Sequence, residues 1–239
     1  MVPLAPNTIE PVVYPESDGK PIADNTRQFD LIVLLKTNLD DRLPDFVAGD
    51  LFWYPVQGHP EIVVAPDVMV AFGRPKGERR SYKQWEEAGV APQVAVEVLS
   101  PANTVREMML KAAFYARHGV EEYYVLDPDN PWGFARVRQP DGRMLDVEDL
   151  HDFVSPRLGI RFDYSSGELE VFDRDGRRFE TTTELRARAE AEAQRAEAEA
   201  QRAEAEAQRA EAASRRADAE AERARLLEER LRAAGLPID

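Results

Sequence analysis

QVAVEVLSPANTVREMMLKAAFYARHGVEEYYVL, residues 93–126, contains a strand, a helix and a second strand. Gln93–Leu99 is short and almost wholly apolar, the pattern of a strand buried on both faces. Thr104–His118 has a helical period, with Val105, Met108, Met109, Ala112 and Ala116 on one face. Thr104 and Glu107 make a capping box at its start, and Gly119 suits the position just past its end. Glu122–Leu126 is again a strand, stopped by Asp127-Pro128. This unit points to an α/β fold, and the flanking sequence extends it.

Upstream, Phe29, Ile32, Leu35, Leu39 and Leu43 give Asn25–Leu43 the spacing of an amphipathic helix. Val47–Tyr54 and Ile62–Phe72 read as strands joined by a turn around Gln57-Gly58-His59-Pro60. Downstream, short strands are expected at Gly133–Arg138, Arg143–Val147, Gly159–Phe162 and Leu169–Phe172, separated by turn pairs such as Asp141-Gly142 and Asp175-Gly176. The order predicts an α/β sandwich around a mixed β-sheet over residues 21–182, preceded by an extended lead-in, Met1–Lys20, rich in proline and turn residues.

The remainder, residues 183–235, is different. RAEAEAQ occurs three times in succession between Arg188 and Gln208, in residues that are among the best helix formers. Arg188 with Glu192 and Arg195 with Glu199 are i,i+4 ion pairs, and Gly235 followed by Pro237 is a stop signal. Glu184–Ala234 therefore predicts one long helix. Its seam of Ala189, Ala193, Ala196, Ala200, Ala203, Ala207 and Ala210 suits either a close-packed coiled coil or a solvated, self-supporting helix, since alanine buries little area. Only Leu226, Leu227 and Leu231 add a larger apolar anchor.

Composition narrows the function. The chain has 239 residues, 31 Lys and Arg against 45 Asp and Glu, and a net charge of −14. Residues 1–183 hold −11 of it, so the acidity belongs to the globular part, and coating nucleic acid through bulk charge is excluded. Cysteine is absent, which removes disulfide frameworks, thiolate metal sites and thiol catalysis. No apolar run reaches the roughly 18 residues of a membrane span, and the N-terminus lacks a signal pattern. A cytoplasmic protein with no membrane partner is expected.

Two acids stand out. VVAPDVMVAF, Val63–Phe72, carries one carboxylate, Asp67, and QVAVEVLS carries one, Glu97. Alternation puts Asp67 on a face with Ala65 and Met69, and Glu97 on a face with Ala95 and Leu99. An unpaired carboxylate there costs several kcal/mol or more, so it must be protonated, paired or bound to a cation. Either acid alone suits a strand end or a buried salt bridge. Two on adjacent strands repel, and a divalent oxygen-ligated metal relieves that directly. Lys111, on the following helix, can reach back toward Glu97, where it would hold an attacking water or neutralise charge developing on a phosphate. It could equally pair with Glu107 at i,i+4.

PDVMVAFG, VAVEVLSPANT, the step from Lys111 to Tyr115, and GVEEYYVLDPD resemble the Uma-two family of restriction endonucleases, in the PD-(D/E)XK nuclease superfamily. DGKPIADNT, VAGDLFWYP and SYKQW extend the resemblance over roughly Asp18–Phe172. It implies a restriction-endonuclease-like core, and Mg²⁺ or Mn²⁺ held by Asp67, Glu97 and the backbone carbonyl of Val98. The superfamily's usual lysine would fall at Leu99, which cannot serve; Lys111 matches the family's relocated lysine. A polar residue of the first helix often joins the site, and here that position is Gln28, a poor base that suits orienting water, with Asn25 one turn earlier.

For a DNA partner, the stretch Arg74–Trp85 offers Arg74, Lys76, Arg79, Arg80 and Lys83 as phosphate contacts, and it follows the Asp67 strand, so it is expected over the mouth of the site. Its plainer reading is a solvated loop. Arg136, Arg138 and Arg143 form a second, weaker basic group. His59, His118 and His151 are scattered without ligand spacing, no phosphate-binding glycine loop is present, and Trp53, Tyr54, Tyr123 and Tyr124 read as core aromatics. Two functions follow from these residues: a Mg²⁺-dependent DNA endonuclease, or an inert nuclease fold that binds or assembles through its long helix. A homodimer, perhaps paired through the Ala seam, would suit cutting both strands of a duplex.

Overall fold

The computed structural model describes residues 12–17, 19 and 21–233. Most of the expected lead-in and the stop at Gly235 and Pro237 lie outside the described residues. The chain divides into two units, 1–182 and 183–239.

In the first unit, α1 (Thr26–Arg42) begins where the Asn25 side chain accepts from the Gln28 N–H at 2.9 Å. It is followed by β1 (Asp45–Gly49), β2 (Trp53–Tyr54), β3 (Val68–Pro75), β4 (Tyr82–Lys83) and β5 (Val94–Val98). Next come α2 (Val105–His118), β6 (Glu122–Leu126), β7 (Gly133–Arg138), β8 (Met144–Val147), β9 (Arg161–Asp163) and β10 (Glu170–Phe172). A six-stranded sheet runs β1-β3-β5-β6-β7-β8. Only β5 and β6 are parallel within it, joined by α2, as a parallel pair requires a crossover. The fold is thus α/β with a mixed sheet.

Two apolar layers sandwich the sheet. Leu31, Ile32, Leu35 and Leu39 of α1 pack on Val68, Val70, Val94, Val96 and Val98. The alternate residues Met69, Ala71 and Ala95 face the other way, with Ala112 and Tyr115 of α2, Trp53 and Tyr123. Every residue of β5 is buried because both faces are covered. Glu97, in phase with Ala95, therefore points into the α2 layer.

The expected strands Val47–Tyr54 and Ile62–Phe72 are shorter than their apolar pattern. Asp50 has φ 46° and breaks the first into β1 and β2. Pro66, which has no N–H to give a ladder, precedes the second, and β3 begins two residues later. The two-residue strand β4, paired in parallel with β2, carries no periodic signal.

The second unit is essentially α3 (Thr182–Ala233), 52 residues with none buried. Its one-helix reading is therefore met as far as Ala233. No helix among the described residues is long and apolar enough to cross a membrane.

Candidate active site

The antiparallel register of β3 on β5 pairs Val68 with Val96 and Met69 with Ala95. Continued by one residue, it sets Asp67 opposite Glu97, both toward the α2 layer, where directly opposed side chains are near neighbours. The ladder ends there, and the carboxylate replaces it: Asp67 Oδ2 accepts from the Val98 N–H at 2.7 Å. Asp67 Oδ1 accepts no hydrogen bond among the described residues. Asp50 is drawn in as well, its N–H donating to the carbonyls of Pro66 and Asp67 at 3.1 and 3.3 Å.

Glu97 is 2% exposed, and α2 provides its partners. Lys111 Nζ donates to Oε2 at 2.7 Å, and the Tyr115 hydroxyl donates to Oε1. The choice left open between Glu97 and Glu107 as the partner of Lys111 thus falls to Glu97. α2 is placed for this by its caps. Thr104 Oγ1 accepts from the Glu107 N–H at 3.2 Å, and Gly119 closes the helix at φ 104°. Glu107's carboxylate has no hydrogen bond or ion pair among the described residues, so only half of the capping box forms.

Gln28 reaches the same point from α1. Its Nε2 donates to the Val98 carbonyl at 2.9 Å, and its Oε1 accepts from the Asp24 N–H at 2.8 Å. Gln28 therefore braces the end of β5, and its amide keeps a second N–H and a second lone pair. A peptide carbonyl has two lone pairs, and Val98 keeps one.

These groups meet at a polar cleft of about 580 Å³ lined by Asp24, Gln28, Asp50, Asp67, Glu107 and Lys111, among others. Among the described residues that line it, Asp24, Asp50, Asp67 and Glu107 are acidic and Lys111 is basic. Burial, and then the charge of Glu97, push Asp67 up to about 7. Burial is also the largest influence on Glu97 and pushes it up, against Lys111 and Tyr115. For Lys111, burial works against the charge, yet Glu97 and Asp67 outweigh it and hold the ammonium above its ordinary value.

The basic loop begins at the other end of β3. Asp67 precedes β3, and Arg74 and Lys76 stand at its far end, so the strand carries the chain roughly 25 Å away at about 3.3 Å per residue. None of Arg74, Lys76, Arg79, Arg80 and Lys83 lines the cleft, so the loop is not part of its walls, although Arg80 pairs with Glu16, which lies between the lining residues Pro15 and Ser17. The side chains have internal partners instead. Arg79 forks onto Glu87 at 2.6 and 3.2 Å and lies 3.9 Å over the Phe46 ring. Arg74 donates to the Glu87 carbonyl, while Lys76, Arg80 and Lys83 pair with Asp40, Glu16 and Glu86. Arg136 and Arg143 pair with Asp146 and Asp141. Trp53, Tyr54, Tyr123 and Tyr124 are core residues, each at most 1% exposed. An apolar cleft of about 600 Å³, between α2 and β6–β7, meets the polar one at Ser100 and Asn103.

The family model Uma2, described as "Putative restriction endonuclease", matches residues 13–203. The chain belongs to the Uma2 family. The match contains Gln28, Asp67, Glu97 and Lys111, and the family's description supports a nuclease. No curated protein matches the chain. Among solved structures, a "putative nuclease belonging to DUF820" from Anabaena variabilis is similar over 54% of this chain and 69% of its own, at 15% identity and a TM-score of 0.33.

Three residues of the site carry no signal of their own in the sequence. Tyr115 belonged to the family resemblance but had no role of its own, and its contact with Glu97 depends on how α2 lies on the sheet. Asp50 and Asp24 sit in loops, where an acid is unremarkable until the fold brings it beside Asp67 or Gln28.

Proposed function

We propose that this Uma2 protein is a metal-dependent DNA endonuclease whose site is built on Asp67, Glu97 and Lys111. The observation that carries the reading is the opposition of two carboxylates at the end of β3 and β5, with the Lys111 ammonium beside them at the wall of a polar cleft. An inert fold gains nothing from that arrangement, because like charges facing each other under partial burial destabilise it.

The donors suit a divalent cation in their chemistry. Asp67 Oδ1 is unengaged among the described residues, Glu97 lies opposite, and the Val98 carbonyl keeps a lone pair, all oxygen donors of the kind Mg²⁺ and Mn²⁺ prefer. Burial, and then the charge of Glu97, displace Asp67 to about 7, and a cation would offset both. Among the described residues no cluster of three or more His, Cys, Asp or Glu side chains forms a metal site, so two carboxylates and a carbonyl are the set proposed. Bound there, the cation would supply Lewis-acid stabilisation of phosphate charge and a lowered pKa for water.

The chain's own groups do the rest. Lys111 presents its ammonium at the cleft wall, where it stabilises negative charge gathering on a phosphate oxygen and orients water. Gln28 fixes the Val98 carbonyl, and the buried α2 layer holds Glu97 out of bulk water. The acidic walls repel a bare phosphate backbone, so substrate approach depends on the cation.

The test is cleavage of mixed DNA substrates by the full chain with Mg²⁺ or Mn²⁺, comparing wild type with Glu97→Gln, which keeps the shape and acceptor of the side chain. Cutting that needs the cation and falls on the order of 10²–10³-fold in the variant is expected. Wild-type protein that cuts nothing and binds no Mn²⁺ by calorimetry would replace this reading with the inert, assembling fold.

A further inference from the structure

Glu97's two oxygens are held by side chains one turn apart on the same helix, and the two holders differ in kind. Tyr115 is fully buried. Its ring lies parallel to Trp53, with an interplanar angle of 1° and centroids 6.4 Å apart, and against Tyr123 at 5.0 Å. Packed on both sides, it has no room to turn. Lys111 reaches Oε2 on a flexible four-carbon stem and is 22% exposed at the cleft wall, against 2% for Glu97.

Charge separates them further. The tyrosine hydroxyl is neutral, so its bond to Oε1 orients the carboxylate without cancelling its charge. The ammonium cancels that charge and occupies Oε2, and it comes from a residue that lines the cleft. A carboxylate with one fixed neutral donor and one mobile charged donor can give up the second without losing its orientation.

We propose that Tyr115 is the positioning residue of this site: it anchors Oε1 of Glu97 while Oε2 exchanges Lys111 for a divalent cation, freeing the ammonium toward the cleft. The inference rests on the metal-dependent reading and extends it to which residue holds the ligand and which one yields. In this arrangement Tyr115 helps cation binding and Lys111 competes with it. Outer-shell hydrogen bonds to a metal ligand typically govern affinity by 10–100-fold.

The experiment is Mn²⁺ titration calorimetry on the full chain without DNA, for wild type, Tyr115→Phe and Lys111→Met, each shown by circular dichroism to melt cooperatively. Tyr115→Phe keeps the ring and removes only the hydroxyl. The expected result is a Kd raised about tenfold in Tyr115→Phe and unchanged or lowered in Lys111→Met. A role confined to packing would not move the two variants in opposite directions. Equal Kd for wild type and Tyr115→Phe overturns the inference and leaves the metal site standing. So does weaker binding by Lys111→Met, which needs no folded Tyr115 variant to be decisive. A wild type that binds no Mn²⁺ overturns the inference together with the metal-dependent reading.

Discussion

Asp67 is poised between two charges. One oxygen holds the Val98 N–H, and burial with Glu97 opposite brings its carboxyl up to about 7 from 3.8. The folded chain therefore keeps a proton that the unfolded chain has already released between about pH 4 and 7. With more protons bound in the folded state, stability falls as pH rises through that window, and the whole penalty is present above it. Asp67→Asn keeps an acceptor for Val98 and removes the charge. It should be more stable than wild type at pH 8 by on the order of 2–4 kcal/mol, with the gain fading toward pH 4. Urea midpoints at pH 4, 6 and 8 measure this; a gain equal at all three would assign it to packing. Asp67 and Glu97 were legible in the sequence because a lone acid in an apolar strand has few inexpensive explanations. Tyr115 was not, because an aromatic at helical spacing is most simply core, and here it is core and hydrogen-bond donor at once.

Secondary elements were legible where period and caps agreed, as in α1, α2 and β5 to β7, whose bounds fall within a residue or two of the apolar pattern. The pattern failed where apolar residues serve loops. Val63 lies outside regular structure and Val64 makes a single bridge to Trp53, so alternation overran the true start of β3. Clustered charge misled for a related reason: sequence shows the bases of the Arg74–Lys83 loop but not the acids that the fold delivers to them. Arg138 is the clearest case of a base committed to structure. Its guanidinium donates to the carbonyls of Ala116 and Val120, at the end of α2, and to Gly142 in the β7–β8 turn. It ties β7 to the C-terminus of the helix that carries Lys111 and Tyr115, where a cation also complements the helix dipole. Arg138→Ala should cost about 1–3 kcal/mol, from hydrogen bonds to a charged donor. Denaturant unfolding checks the magnitude. Nuclease activity per folded molecule should survive, since the guanidinium lies at the far end of α2 from Glu107, and a variant of full stability with lost activity would return Arg138 to substrate binding.

At the scale of the chain, a core of two apolar layers is followed by a helix with no core at all. α3 is roughly 78 Å long at about 1.5 Å per residue, and none of its residues is buried, with Leu226 and Leu227 at 52% and 59% exposure. What holds it is local: alanine and glutamate propensity, and ion pairs one turn apart, Arg188–Glu192, Glu211–Arg215, Arg225–Glu229 and Glu228–Arg232. Each such pair contributes only about 0.2–0.5 kcal/mol, but many act along one helix. The alanine seam offers a partner helix little area, and in a coiled coil the seam supplies the cooperativity. The peptide 183–239 should therefore be strongly helical at low temperature, lose helicity gradually on heating, and melt at the same temperature at 5 and 500 μM. Salt should lower its helicity modestly by screening the pairs. A sharp transition that moves upward with concentration would instead make the seam an interface, and sedimentation of the full chain against residues 1–183 would then have to show a change in subunit number. The Uma2 match runs 20 residues past Thr183 into this helix, so the helix's first turns belong to the family's shared sequence, whereas the Leu226–Leu231 end lies beyond it. If pairing occurs, Leu226→Gln with Leu227→Gln should abolish it while leaving DNA cleavage by each globular unit intact, because the proposed catalytic groups all lie between Gln28 and Tyr115.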